Sequence, residues 1–236
     1  MDPDLRPGQG GCLSGNSKMN ETLDYYEEHA QEFAQATLNA DLSSTQDFFL
    51  SFLHAGGKIL DFGCGAGRDS LYFLKKGFQV TAADGSEKMC AIASRNTGLS
   101  VRHMLFNELD AVNEYDGIWA CSSILHLNKE ELKDVLSKMI RALKGSGVIY
   151  ISFKYGNFEG ERNGRYFTDF TQKAFEEFLK DVPGAGNLYS GELPESDPVQ
   201  RAKGPGRQGF PFYWITPDAR PGREEEKWLN ILLKKR

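Results

Sequence analysis

Asp61, Gly63, Gly65 and Gly67, in the run "KILDFGCGAGRDS" from Lys58 to Ser70, combine an acid with three glycines at alternate positions. Glycines so spaced let a chain turn tightly and bare its backbone, because side chains there would block a ligand's approach. The N–H groups at the opening of a helix near Arg68 stay free to meet that ligand. A dinucleotide fingerprint spaces its glycines G-x-G-x-x-G and seats a pyrophosphate, whereas the spacing here is G-x-G-x-G with an acid two residues before the first glycine. That acid would repel a pyrophosphate and attract a cationic amino group. Asp84 ends the run "FQVTAAD", 23 positions after Asp61. A carboxylate at that place can accept hydrogen bonds from both hydroxyls of a ribose. Either acid alone is equally what a capped turn contains. Together with the glycines they imply a nucleoside carrying a charged amino acid, and S-adenosylmethionine is such a molecule.

The elements around these residues must bring two strand ends to one crevice. Apolar runs "KILDF", "FQVTAA", "VRHMLF", "YDGIWAC" and "GVIYISF" alternate with helical patterns around 69–76, 86–96 and 129–144. Such alternation predicts a parallel sheet with helices on both faces, and right-handed crossovers make it doubly wound. Two helical stretches precede the first strand: "NETLDYYEEHAQEFAQAT", with Asn20 placed as a cap, and "TQDFFLSFLH". After a helix "TQKAFEEFLKDV", the runs "FPFYWIT" and "EKWLNILLKKR" are expected to pair antiparallel and finish the sheet. The fold class expected is α/β, a doubly wound, mostly parallel seven-stranded Rossmann-like sheet with the last strand antiparallel. Residues 1–18 read as a disordered leader or cloning remnant, with Met19 a candidate start. Residues 19–236 read as a single domain with a long loop near 183–209.

Composition bounds the function. The 236 residues carry 28 basic and 33 acidic side chains, a net charge of −5. That balance argues against a long nucleic-acid footprint and favours a small-molecule partner. No apolar run reaches the roughly 18 residues of a membrane span, and no secretory signal opens the chain, so the expected location is cytoplasmic. Cys12, Cys64, Cys90 and Cys121 form no CxxC pair, so they read as reduced thiols, and no metal site is expected.

The successive motifs "LDFGCGAGRDS", "VTAADGSEKM" and "YDGIWACSSILHL" resemble those of class I S-adenosylmethionine-dependent methyltransferases, over roughly residues 25–153. "GRDSLYFLKKGFQVTAAD" and "GRYFTDFT" are further similar to tellurite-resistance-type methyltransferases and uncharacterised bacterial relatives. This resemblance implies seven strands, S-adenosylmethionine as methyl donor and S-adenosylhomocysteine as product. It also implies that Asp61, Gly63, Cys64, Gly65 and Gly67 line the methionine end of the cofactor. Asp84 would hold the ribose, with Gly85, Ser86 and Met89 beside the adenosine. Phe106 and Asn107 would contact adenine, Cys121 and Ser122 would flank the methionine moiety, and Tyr25 or Tyr26 would close over it. Relatives often carry Lys-Pro-Gly-Gly before the fifth strand; here Lys144-Gly145-Ser146-Gly147 keeps the turn composition without the proline.

Methyl transfer from a sulfonium is an in-line displacement that mainly requires alignment and exclusion of water. A base is needed only when the acceptor sheds a proton. His126, just beyond the fourth strand, is the catalytic candidate, since ligands of open α/β sheets lie outside the carboxyl ends of strands. Lys154, Tyr155, Arg162, Arg165, Tyr166 and Phe167 in "KYGNFEGERNGRYFTDF" are candidates for a wall that binds an anionic or planar acceptor. The segment "ARPGREEEK" reads as a solvated turn. The expected function is methyl transfer to a small-molecule acceptor. The alternatives are a nucleic-acid or protein methyltransferase, or a cofactor-binding module without catalysis.

Overall fold

In the computed structural model, which describes residues 15–190 and 210–236, the five apolar runs become parallel strands of one sheet. They are β1 (Lys58–Phe62), β2 (Gln79–Asp84), β3 (Arg102–His103), β4 (Tyr115–Ala120) and β5 (Leu143–Lys154). Every residue of β4 is buried, as a central strand covered on both faces requires. The crossovers run through α4 (Arg68–Lys75), α5 (Glu87–Thr97) and α6 (Lys129–Ala142), with one short 3₁₀ turn, Phe106–Glu108, between β3 and β4. The amphipathic pattern of α6 buries Leu132, Val135, Leu136, Met139 and Ile140 against the sheet. Asn128 caps its start by accepting from the N–H groups of Glu130 and Glu131, each at 3.0 Å.

The C-terminal pair, β8 (Phe212–Pro217) and β9 (Lys227–Lys234), completes a seven-stranded sheet of order β3-β2-β1-β4-β5-β9-β8. β9 inserts antiparallel between β5 and β8, pairing Ile151 with Ile231 on one side and Tyr213 with Ile231 on the other. The strand order therefore reverses between β1 and β4, and the crevice at that reversal opens where the glycine loop and Asp84 lie.

Several details differ from the sequence reading. The N-terminal helix α1 (Gly15–Glu28) begins before Asn20, which therefore sits inside the helix rather than capping it. Residues 15–18 thus belong to a helix rather than the leader, whose first fourteen residues lie outside the described part. The single helix read over "NETLDYYEEHAQEFAQAT" is broken at His29, whose ring bonds the Tyr25 carbonyl at 2.9 Å, and resumes as α2 (Ala30–Thr37). Lys144–Gly147 form no separate turn but an irregular entry to β5, with Ser146 at φ 65°. Of the expected 183–209 loop, the described residues make a 3₁₀ turn at Ala185–Asn187 and a bridge from Leu188 to Lys235; residues 191–209 lie outside the described part.

"GNFEGERNGRYFTDF" folds as a separate hairpin, β6 (Glu159–Arg162) and β7 (Arg165–Thr168), leading into α7 (Gln172–Lys180). Its two-residue turn, Asn163-Gly164, takes positive φ at both positions, 52° and 74°, as a tight hairpin of this hand demands.

Helix α3 (Ser43–Leu50) packs on β4 at Gly117. A β-carbon there would lie 2.6 Å from the Phe49 ring and 2.9 Å from Leu53. Gly117→Ala should therefore push α3 off the sheet and cost about 1–3 kcal/mol, the usual penalty of overpacking. Thermal denaturation checks this, and an unchanged Tm would contradict the packing.

Candidate active site

The loop after β1 is built around bare backbone. Gly63 sits at φ 82°, and a β-carbon on it would lie 2.4 Å from the Ser123 β-carbon. Only glycine fits there. Ser123 in turn donates to the Phe62 carbonyl at 2.7 Å, locking the ends of β1 and β4 together. At Gly65, φ 53°, nothing but the Phe33 ring at 3.9 Å faces the space a side chain would take, so the peptide is open to the cavity beside it.

Asp84, at the end of β2, clasps this loop. Its Oδ2 accepts from the Gly65 N–H at 2.8 Å and its Oδ1 from the Ser86 N–H at 2.9 Å. Each oxygen keeps further acceptor capacity. Burial pushes the Asp84 carboxyl above its ordinary range, partly offset by those two N–H donors. A ligand offering a pair of hydroxyls would complete its hydrogen bonding.

These residues border a cavity of ≈ 270 Å³ that runs from the β1–β2 crevice towards the β6–β7 hairpin and the β8–β9 turn. Of the residues named from sequence, Gly63, Cys64, Gly65, Asp84 and Gly85 line it near the loop, and Met89 and Phe106 add apolar surface. Cys121, Ser122, His126 and Tyr26 line the far part. Lys154, Arg162, Arg165 and Phe167, among the candidates for an acceptor wall, line it too, whereas Asp61, Gly67, Ser86, Asn107, Tyr25, Tyr155 and Tyr166 do not reach the wall. Asp61 lies beneath the loop, where its Oδ2 accepts from the Ser70 hydroxyl at 2.5 Å. Burial, reinforced by the charge of Asp69, raises its carboxyl well above the usual carboxylate range, so it is not the exposed counter-charge read from sequence. Gly67 packs against α5, where a β-carbon would meet Thr97 at 2.7 Å. Ser86 caps α5 through the Met89 N–H. Asn107 is exposed, and its carbonyl accepts from Lys138. Tyr25 stacks on His29 at 4.3 Å instead of facing the cavity.

The cavity's floor depends on Asp69. This buried carboxylate takes both Nε and Nη2 of Arg68, the Gln46 amide of α3 at 2.7 Å and the Trp119 indole N–H at 2.8 Å. Burial alone would raise its pKa, but Arg68 and the two neutral donors hold it below the ordinary value. Arg68 reaches on to the Thr37 carbonyl at 3.3 Å, which fixes the end of α2 over the cavity.

His126 has a partner that the sequence could not supply. The Tyr26 hydroxyl lies 2.9 Å from its Nε2, and its Nδ1 is 2.6 Å from the Tyr166 carbonyl. A carbonyl only accepts, so the ring proton is on Nδ1 and Nε2 accepts from Tyr26. The Tyr26 oxygen also accepts from Arg165 Nη1 at 3.3 Å. Burial, with Arg165 and Lys154 adding like charge, pushes the His126 pKa down to about 4. His126 is therefore neutral, and its free lone pair is committed to Tyr26 rather than open to a ligand.

Sequence reasoning missed the β8–β9 turn. "ARPGREEEK" was read as a solvated turn, yet Arg220, Arg223 and Glu226 line the cavity beside Trp228. Asp218 anchors it, accepting from Arg220 and from the Trp228 indole at 3.1 Å.

A strand order reversing over a glycine loop, with a buried acid at the tip of the second strand, is the layout in which open α/β sheets bind nucleoside-containing ligands. Comparison with known proteins agrees. Residues 59–147 match a protein family described as a methyltransferase domain. A glycine/sarcosine N-methyltransferase of Parasynechococcus marenigrum is 27% identical over 210 residues, covering 82% of this chain and 69% of that protein. TehB of Haemophilus influenzae, described as a probable S-adenosyl-L-methionine-dependent methyltransferase, is 31% identical over 87 residues, 35% of this chain and 30% of that one. In fold, a Burkholderia thailandensis 1,6-didemethyltoxoflavin-N1-methyltransferase, solved with 1,6-didemethyltoxoflavin and S-adenosylhomocysteine bound, superposes with TM-score 0.71 at 18% identity, covering 97% of this chain and 93% of that one. These matches support an S-adenosylmethionine-dependent methyltransferase, and over 87 residues the chain resembles TehB-type proteins.

The His126 environment sets a pH dependence. As pH falls from the ordinary histidine value of 6.5 towards about 4, the unfolded chain takes up a proton at this residue that the folded protein refuses, and stability is lost. His126→Gln should remove that part of the acid sensitivity. Its Tm should then fall less than wild type's between about pH 7 and pH 5; an equal fall would contradict the buried neutral imidazole.

Proposed function

We propose that the protein methylates a small-molecule acceptor held between the glycine loop and the β6–β7 hairpin. One observation carries this reading: a single cavity of ≈ 270 Å³ joins the Gly63–Gly65 backbone and Asp84 to the Tyr26–His126 pair, so that donor and acceptor would share one enclosed space. The formal charge of −5 fits such a partner better than a polyanion. Among the described residues no helix is long and apolar enough to cross a membrane. We take residues 19–236 as one catalytic domain acting in the cytoplasm.

The fit to the cofactor rests on the open peptide at Gly65 and the spare acceptor capacity of Asp84. Asp84 would take the ribose hydroxyls. Gly63, Cys64 and Gly65 would border the methionine portion, with Gly85, Met89 and Phe106 around the adenosine and Cys121 and Ser122 on the far side. Bound there, S-adenosylmethionine supplies a sulfonium-activated methyl group.

The chain's own task is to present the acceptor. With its O–H donating a hydrogen bond to His126, the Tyr26 oxygen accepts an X–H bond of the acceptor and aims the lone pair of X inward. A proton shed during reaction passes to Tyr26 while the Tyr26 proton moves to His126 Nε2. His126 is then a positioning residue behind Tyr26 rather than a base in contact with substrate. Phe33, on α2, closes over the cavity and excludes water.

The test is partition of label. Incubating the enzyme with methyl-labelled S-adenosylmethionine and cell extract should place label in the low-molecular-weight fraction; label confined to nucleic acid or protein would overturn the small-molecule reading. With that acceptor, Tyr26→Phe should lower kcat by roughly 100-fold, the scale of lost proton handling, while S-adenosylhomocysteine still binds. A kcat unaffected by the change would remove Tyr26 from the chemistry.

A further inference from the structure

Among the described residues six cationic side chains line the cavity, and five are neutralised. Arg68 pairs with Asp69, Arg162 with Asp169 and Arg220 with Asp218, while Lys154 and Arg223 share Glu226. Arg165 is different: among the described residues no carboxylate comes within ion-pair distance of it. Its guanidinium lies over the Tyr25 ring at 4.5 Å and the Phe167 ring at 5.3 Å, which screen it from water and fix its plane. One nitrogen meets the Tyr26 hydroxyl, but Nε is buried with no hydrogen-bond partner. A shielded cation with an orphaned donor is costly unless something completes it.

We propose that Arg165 is the subsite for an oxyanion on the methyl acceptor, a carboxylate or phosphate gripped by the guanidinium fork. The inference rests on the small-molecule reading above and adds the chemical class of the substrate. The planar fork of arginine matches a two-oxygen anion in geometry, which a lysine at this place would not. The position is set by the fold. Asn163-Gly164 turns the hairpin so that Arg165 opens β7, and Tyr25 packs against Gly164, where a β-carbon would touch its ring at 3.4 Å. Because Arg165 and His126 touch the same Tyr26 oxygen, the anionic group sits one side chain away from the atom that Tyr26 presents. The acceptor is thus a compact molecule in which the methylated atom and the oxyanion are close neighbours.

The experiment titrates benzoate, phenyl phosphate and neutral benzamide into the protein by calorimetry, with and without saturating S-adenosylhomocysteine. Benzoate or phenyl phosphate should bind and benzamide should bind at least about tenfold more weakly, as loss of a charge-assisted hydrogen bond implies. The preferred anion distinguishes a carboxylate from a phosphate acceptor. In Arg165→Gln, anion affinity should fall about tenfold while affinity for S-adenosylhomocysteine stays the same; Arg165→Lys should recover only part of the loss. Protection of Arg165 from phenylglyoxal by benzoate or phenyl phosphate, but not benzamide, reads the same contact in the unmutated protein by mass spectrometry. Equal binding of benzamide, no binding of either anion, no selective protection, or undiminished anion affinity in a folded Arg165→Gln protein would overturn the proposal. Failure of S-adenosylhomocysteine itself to bind would instead strike the cofactor assignment, and the anion titrations without it would still decide the role of Arg165.

Discussion

A carboxylate sealed inside a protein must be surrounded by donors, and Asp69 collects its donors from three separate elements. Gln46 comes from α3, Arg68 from the start of α4 and Trp119 from β4. The Trp119 ring stacks on Tyr150 of β5 at 3.9 Å, and the Tyr150 hydroxyl donates to Asn230 of β9 at 2.7 Å. A chain of polar and aromatic contacts therefore crosses the sheet from the N-terminal helices to the antiparallel strand. Loss of one member leaves a buried charge short of partners, which is far costlier than the net worth of any single bond. The cavity inherits its floor from this constraint.

The roof is held differently. Helix α1 is pinned to the β6–β7 hairpin where the Tyr166 N–H donates to the Thr22 hydroxyl at 3.1 Å, and to α5 where Lys88 reaches the Glu27 carbonyl. Tyr26 is thereby delivered to His126, and Tyr25 to the face of Arg165. Two kinds of charge meet in the site. The cations towards the β8–β9 turn carry their own counter-ions, whereas Arg165 is braced by aromatic rings and the Tyr26 hydroxyl. The difference separates residues that hold the walls in place from one available to a ligand.

The parallel sheet, its antiparallel ending and the crevice were legible because each rests on local signals: apolar runs at regular spacing, glycines after a strand, an acid closing the next. Asp84 was legible for the same reason. The direction in which Asp61 points was not, since Ser70 competes for its carboxylate one helical turn into α4. The partner of His126 was also hidden, because Tyr26 lies 100 positions away and only the packing of α1 brings it near. The β6–β7 hairpin had a readable mark in Asn163-Gly164, which the abundance of glycine around it disguised as loop. The inward reach of Arg220 left no pattern in the sequence; it follows from Asp218, which turns that side chain towards the cavity.

The proposed cofactor site centres on Asp84, whose oxygens tie the glycine loop to β2 and retain capacity for two more donors. The most direct measurement is calorimetric titration of the intact protein and of Asp84→Ala with S-adenosylmethionine and S-adenosylhomocysteine, beside NAD. Binding of both by the intact protein, lost in Asp84→Ala and absent with NAD, is the expected result. Binding of NAD, or undiminished affinity for S-adenosylhomocysteine in a folded Asp84→Ala protein, would contradict the site described above.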